Sequence, residues 1–456
     1  TATPSATSTV TNTPTATATP SNTPTKTPTN TPVPTSTPGA TPTAVPAAIE
    51  QVSANANSVI KRRPQLAVIP SGPSAGTVFA VWDEELEGTS TNNGLQLLYA
   101  WRSPAGVWST PQVIPATDTA RWSAATRVSD WYPRIGVDAD GNLHIAYAER
   151  YQTSSTAEVS AYYIVGQNAN SGAPSWTTPV RIDPAGGYLY ALDDIRVHVG
   201  TDPGGTYSAV GYVLWTGNSG NRVNLSRLGY QTGTNSLTLV DVAPVVEPNN
   251  VVAGPVGINS VDAATLQLVY ASKNSTNGNT FYAANLALSG SAVTWNTGTN
   301  VAGNLAIDCS HTGCFGASAA NDGAGNTFVA ANWDVSTTHR VQVTHHNGAS
   351  GWPIYLEHSG LSTRQPAVVH DASSGKIIVV YNTCTYVSSS SCTGRDIWYR
   401  TYAAGVWSAP ILLSPVTGEQ MDITATAQGG SLYLAWLGRN QTGTGDQMYF
   451  QVVSVP

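Results

Sequence analysis

Four arginines, Arg63, Arg134, Arg196 and Arg364, each stand near the start of a short apolar-alternating segment, at spacings too wide for any local motif. Gathered on one face they form a cationic ring that holds a carboxylate or sulfate through paired, parallel hydrogen bonds; a sialic or uronic acid suits it. The competing assignment pairs each guanidinium with a carboxylate or carbonyl of a neighbouring segment. Acidic residues recur at the ends of the apolar segments that follow: Asp83, Glu84 and Glu85, then Glu149 beside Arg150, Asp193 and Asp194, and Asp334. Two carboxyls facing each other across a cleft serve as acid and base in glycoside hydrolysis, and exposed indoles such as Trp122 and Trp131 stack on sugar rings. Loop acids are also common without chemistry, and no spacing here selects a catalytic pair, so no catalytic residue is assigned. The candidate ligand-binding set is Arg63, Arg134, Arg196, Arg364, Asp83, Glu149, Trp122 and Trp131.

These residues need elements to position them, and the chain announces those by repetition. Seven apolar segments end in Trp or Tyr, at Trp82, Tyr147, Trp215, Tyr270, Trp333, Tyr381 and Trp436, spaced 48 to 68 residues apart. Each follows a turn such as Asp140-Gly141-Asn142 or Gly429-Gly430, and before that a strand often led by Pro64, Pro133 or Pro366. A third strand usually follows, then a turn of the form Gly106-Val107-Trp108-Ser109-Thr110-Pro111, echoed at Ser175-Trp176-Thr177-Thr178-Pro179 and Gly405-Val406-Trp407-Ser408-Ala409-Pro410. A period of this size with strands inside each unit predicts an all-β fold, a seven-bladed β-propeller of four-stranded antiparallel blades over residues 50–456. The last unit lacks a fourth strand, so an N-terminal strand around 51–60 is expected to supply it and close the ring.

The inner-strand pattern, the Pro-led first strands and the Gly-x-Trp-Ser-x-Pro turn resemble the sialidase-type, Asp-box-like propellers of secreted and cell-surface bacterial proteins, over roughly residues 50 to 456. Of that family's Ser-x-Asp-x-Gly-x-Thr-Trp box only the end survives, in Gly405-Val406-Trp407-Ser408. The resemblance therefore implies the fold and transfers no catalytic residue.

Residues 1–49 are a different material. All eighteen threonines before residue 47 fall on odd positions, ten prolines interrupt them, and Thr-Pro occurs eight times. So much proline excludes helix and ordinary sheet and leaves an extended, polyproline II-like tail. Ser/Thr-rich tracts with Pro are the composition of O-glycosylated stalks, with Thr13, Thr19, Thr23, Thr25, Thr27, Thr29, Thr31, Thr37 and Thr41 as expected acceptors; an unmodified linker is the alternative.

Charged residues make up 10% of the chain, with a net charge of −7 and only four lysines. No basic stripe suits nucleic acid and no apolar run spans a bilayer. Cys309 with Cys314, and Cys384 with Cys392, read as two loop-closing disulfides in an oxidising compartment. A metal site of His311 with Cys309 and Cys314 lacks a further Cys/His pair nearby, and the expectation is no metal and no cofactor. Asp138-Ala139-Asp140-Gly141-Asn142 resembles the start of a calcium loop but lacks the closing Glu of the full series, and an Asp-Gly hairpin between the first two strands explains it. Sequons stand at Asn224, Asn274 and Asn440. The first residue is Thr1 rather than Met, which suggests a processed or truncated, exported product. The expected function is an extracellular or cell-surface structural or adhesive glycoprotein, self-assembling into a fibre or coat through its tail. Its partners are further copies of itself, covalent glycans and extracellular polysaccharide. The alternative is a carbohydrate-binding or glycoside-hydrolase propeller displayed on a stalk.

Overall fold

The structure, a computed structural model, describes residues 48–53, 61–85, 95–115, 127–152, 157–171, 173–183, 195–216, 223–244, 252–262, 264–274, 278–289, 292–295, 299–300, 317–335, 338–346, 354–356, 362–388, 391–414, 419–439 and 446–455. The expected O-glycosylation sites from Thr13 to Thr41, with Trp122, Cys309 and Cys314, lie outside them, as do the side chains of Trp131, Arg364 and Cys392.

Seven antiparallel sheets follow one another along the chain. The first blade is Lys61–Val68, Val78–Glu85, Leu95–Arg102 and Gln112–Val113; the second is built on Arg127–Val137, Leu143–Gln152 and Ala157–Gln167; the third is Ile195–Gly200, Ala209–Thr216, Val223–Gln231 and Ser236–Pro244. The fourth, fifth, sixth and seventh begin at Val252–Asp262, Ser318–Asn321, Ser362–Asp371 and Glu419–Gln428. All seven apolar segments expected from the aromatic repeat are second strands of these sheets.

Second strands read as unbroken apolar runs because both of their faces are covered. In Val78-Phe79-Ala80-Val81-Trp82 every residue is fully buried. Val78, Ala80 and Trp82 pack with Ala435 and Leu437 of the seventh blade, while Phe79 and Val81 pack with Ile145 and Tyr147 of the second. The same alternation recurs around the molecule, so that seven apolar clusters fill seven blade-to-blade interfaces. The terminal aromatic turns toward the preceding blade each time: Tyr147 toward the first, Trp215 toward the second, Tyr270 toward the third, Tyr381 toward the fifth and Trp436 toward the sixth.

The Trp-Ser/Thr turn has a hydrogen-bonding cause. In the first, second and sixth blades the residue after Trp donates its N–H to the third strand, and its hydroxyl accepts an N–H in return: Ser109 from Trp101 (3.0 Å), Thr177 from Val165 (3.0 Å) and Ser408 from Thr401 (2.9 Å). The hydroxyl stands in for a carbonyl where the fourth strand leaves the ladder.

Closure is made by Glu50–Gln51, which pairs with the final strand Asp446–Ser454 in the register Glu50↔Phe450 and Gln51↔Tyr449. Val52 extends the ladder by donating to the Met448 carbonyl, and residues 54–60 of the expected closing strand lie outside the described residues. Glu50 also reaches the first blade. Arg102 donates Nε and Nη2 to its two carboxylate oxygens, both at 2.7 Å, and Trp108 Nε1 donates at 2.8 Å. Replacing Glu50 with Gln removes the charge that orders this fork. We expect a loss of about 1–2 kcal/mol in urea unfolding, with faster amide exchange concentrated in residues 446–454.

Candidate functional site at the axial mouth

The inner strands of four consecutive blades share a defect. Between Arg62 and Gln65, Trp131 and Arg134, Arg364 and Ala367, and Met421 and Thr424, the register shifts by one extra residue. At each bulge one non-glycine residue is left-handed: Arg63 (φ 51°), Tyr132 (φ 54°), Gln365 (φ 50°) and Asp422 (φ 49°). Such a conformation costs an L-residue ~1–2 kcal/mol and persists only where the surroundings hold it. In three of the four the next residue is a buried proline, Pro64, Pro133 or Pro366, whose missing N–H a bulge tolerates. The prolines therefore mark bulges inside strands that start earlier, at Lys61, Arg127 and Ser362, rather than strand starts.

A directional relay holds the strained residues. Gln365 N–H donates to Asn332 Oδ1 of the fifth blade at 2.9 Å, Asp422 N–H to Gln365 Oε1 at 3.2 Å, and Arg63 N–H to Asp422 Oδ2 at 3.4 Å. Each bulge is thus tied to a side chain of the blade before it. Gln365 Nε2 returns a bond to Asp422 Oδ1, and Asn382 Nδ2 supports Gln365 Oε1 at 2.8 Å. At the next step the pattern changes, because Arg63 has no acceptor to offer. Its guanidinium lies 3.6 Å over the ring of Tyr132 instead, a cation–π contact. The seam between the first and second blades is where the amide-and-carboxylate relay gives way to a cation on an aromatic face.

Behind Arg63 lies Asp83, fully buried, with Oδ2 accepting from Arg63 Nη1 at 3.1 Å. Its other oxygen is buried without a hydrogen-bond partner. Burial pushes its pKa up to about 7; Arg63 and Arg62 pull it down against that, and Asp422 adds to the rise. A carboxyl that titrates near neutrality sits directly on a guanidinium that keeps 22% of its side-chain surface exposed.

The four arginines of the expected ring do not stand at equivalent positions of their strands. Arg63 occupies the left-handed bulge position, whereas Arg134 stands two residues beyond its own bulge residue, Tyr132, and Arg364 one residue before Gln365. The inner strand of the third blade, Ile195–Gly200, pairs with its neighbour without a bulge. Arg134 instead donates Nε to the Ile195 carbonyl of the third blade at 3.1 Å, and Arg196 donates to Val256 of the fourth at 2.9 Å and Ala317 of the fifth at 3.2 Å. These two guanidinia join adjoining blades, as in the second of the two sequence assignments. Glu149 is buried on the second strand of the second blade, one position beyond Ala148, the equivalent of Asp83. Sequence reasoning missed Tyr132, Gln365, Asp422, Asn332 and Asn382; the Tyr-Pro, Arg-Pro and Gln-Pro pairs were the available signal for the first two.

Three other motifs resolve locally. Asp138 accepts from Asn142 N and Nδ2, each at 2.8 Å, and from His144 Nε2 at 3.1 Å, so its carboxylate builds the hairpin in which Gly141 is left-handed. Burial pushes its pKa up, but those bonds outweigh it and leave the group below the usual carboxylate range. Ser226 of the Asn224 sequon is fully buried, its hydroxyl bonded to Trp215 Nε1 and the Ile182 carbonyl, which keeps that sequon closed in the folded chain. Cys384 is buried and disulfide-bonded.

No protein-family model matches the chain, and no curated protein matches it. Among solved structures it is similar to a Trypanosoma rangeli sialidase in complex with the inhibitor DANA, with 13% identity and a TM-score of 0.46 over 90% of this chain and 60% of that one. A Hadza microbial sialidase aligns with 11% identity and a TM-score of 0.44, over 87% of this chain and 66% of its own. A mutant NanB sialidase from Streptococcus pneumoniae aligns with 12% identity and a TM-score of 0.45, over 75% and 68%. The chain thus spans about 60% of the length of the trypanosomal enzyme. The seven-bladed propeller of this chain is read from its own seven sheets.

Proposed function

We propose that this chain is a carbohydrate-binding propeller of the glycoside-hydrolase type whose axial mouth takes an acidic saccharide at Arg63 and Tyr132. The observation that carries the reading is the partly exposed Arg63 guanidinium, placed over Tyr132 and backed by a buried carboxyl whose pKa is about 7. Below that pH Asp83 is neutral, and the full charge of Arg63 is available to a ligand carboxylate. Above it Asp83 ionises and competes for the same cation. Tyr132 offers an aromatic face to a sugar ring, and the half-buried Asp422 and Gln365, joined to the Arg63 bulge through the relay, offer carboxylate and amide partners for hydroxyls.

Calorimetry with sialic- and uronic-acid oligosaccharides against neutral ones, at pH 6 and pH 8, tests this. Acidic glycans are expected to bind about tenfold more tightly at pH 6. Equal binding of neutral glycans, or no binding of acidic ones at either pH, overturns the reading. Fluorogenic glycosides assayed alongside separate hydrolysis from binding alone. Arg63→Gln removes the cation that lowers the Asp83 pKa. The Asp83 titration, followed by carboxyl NMR, is expected to move above 7 while acidic-glycan affinity falls at least tenfold.

The Thr-Pro tract supports a second reading of the whole chain as an exported, surface-displayed glycoprotein that associates with further copies of itself. Intact and deglycosylated masses with peptide mapping of residues 1–46, plus imaging for filaments, test it. A bare tract on monodisperse monomers counts against it.

A further inference from the structure

The groove that closes the ring has the character of a peptide-binding site. Residues 50–53 lie along the free edge of the last strand as an added strand, and each contributes a distinct contact. Glu50 enters the fork of Arg102 and Trp108. Val52 is buried in the apolar cluster between the seventh and first blades. Ser53 is wholly buried, its hydroxyl accepting from the Met448 N–H at 3.1 Å and donating to Gln447 Oε1 at 3.3 Å, where Gln51 Nε2 also donates at 3.0 Å. Main-chain pairing gives affinity and alternate side chains give specificity, the logic of strand addition to an open sheet edge.

We propose that this groove is a strand-exchange site that accepts residues 50–53 of a second copy of this chain. The closing segment is held by non-covalent contacts alone, and without it the seventh blade keeps the three contiguous antiparallel strands Glu419–Gln428, Ser431–Arg439 and Asp446–Ser454. Opening the edge breaks a short ladder and the Glu50 fork and leaves the rest of the ring paired, so it lies well below global unfolding. The carboxylate-in-fork complementarity selects this segment over an arbitrary peptide, and the contacts are identical whether the segment comes from the same copy or another. The balance is then set by effective concentration, which favours the chain's own strand when dilute and a neighbour's when copies are crowded. Because groove and strand are different surfaces, exchange runs head to tail, closing into a ring of copies or continuing as a filament.

The register supplies the test. Val52 bonds the Met448 carbonyl, so Gln51 and Tyr449 form a non-hydrogen-bonded pair, the close spacing at which an engineered disulfide fits. Full-length Gln51→Cys and Tyr449→Cys chains, made separately and mixed under mild oxidation, can form a 51–449 disulfide only between copies. The expected product is a covalent heterodimer whose 51–449 cross-linked peptide is found by mass spectrometry, its yield rising about tenfold for a tenfold rise in protein concentration. Ser53→Cys with Gln447→Cys provides a second pair that leaves Tyr449 in place against Trp436. Near-UV circular dichroism of each single variant confirms that it folds. Absence of both cross-linked peptides up to millimolar protein, while single chains carrying both cysteines of a pair close internally, overturns the proposal.

Discussion

Replacing Asp83 with Asn is expected to stabilise the protein at pH 8, leave it unchanged near pH 3.5, and remove the pH dependence of acidic-glycan binding. The carboxyl has a folded pKa of about 7 against an ordinary value of 3.8, with burial the largest cause. A raised carboxyl pKa means the unfolded chain gives up its proton first. Folding stability is therefore full below the unfolded value and is lost as pH climbs through the folded one. Roughly three pH units correspond to ~4 kcal/mol forfeited by pH 8, which the neutral amide recovers. The isosteric amide keeps an oxygen for Arg63 and cannot ionise against it, so affinity at pH 8 should rise to the value seen at pH 6. Urea unfolding at pH 3.5 and pH 8, with calorimetry on the same samples, measures both effects. A variant that is less stable than the parent at pH 8, and still binds in a pH-dependent way, removes Asp83 from the account.

Gly211→Ala is expected to cost about 3 kcal/mol, although it adds one methyl. Gly211 lies on the second strand of the third blade, and a Cβ there overlaps the hydroxyl of Tyr163 from the second. Tyr163 is fully buried and cannot swing aside, because its hydroxyl contacts His144 Nδ1 at 3.0 Å while His144 Nε2 meets Asp138 at 3.1 Å. The methyl must either overpack the interface or break a buried polar chain, and the two penalties add. Gly233→Ala, which meets nothing within 4 Å, is the matched control and is expected to be silent. Equal denaturation midpoints for both variants contradict the wedge role of Tyr163.

The repeat was legible in the sequence because its cause is local and two-sided. A second strand buried on both faces must be apolar throughout, and it ends in an aromatic that packs on the preceding blade, so Trp82, Tyr147 and their counterparts state the number of blades directly. The Trp-Ser/Thr turn was legible for the same kind of reason, since its hydroxyl completes a hydrogen bond within a few residues. The site was not. Arginines align as a ring only if inner strands share a register, and one extra residue at Arg63, Tyr132, Gln365 and Asp422, absent from the third blade, breaks that equivalence. Whether Arg134 faces a ligand or the Ile195 carbonyl depends on a contact between blades 61 residues apart in sequence, and the Asp83–Arg63 pair is set by the bulge that aims Arg63 across its own blade, 20 residues away. The strands and their aromatic ends were thus determined by the chain itself, through burial and local hydrogen bonding. The bulges, the relay joining them and the near-neutral carboxyl were decided by tertiary structure, because desolvation and side-chain partners exist only once the blades are assembled.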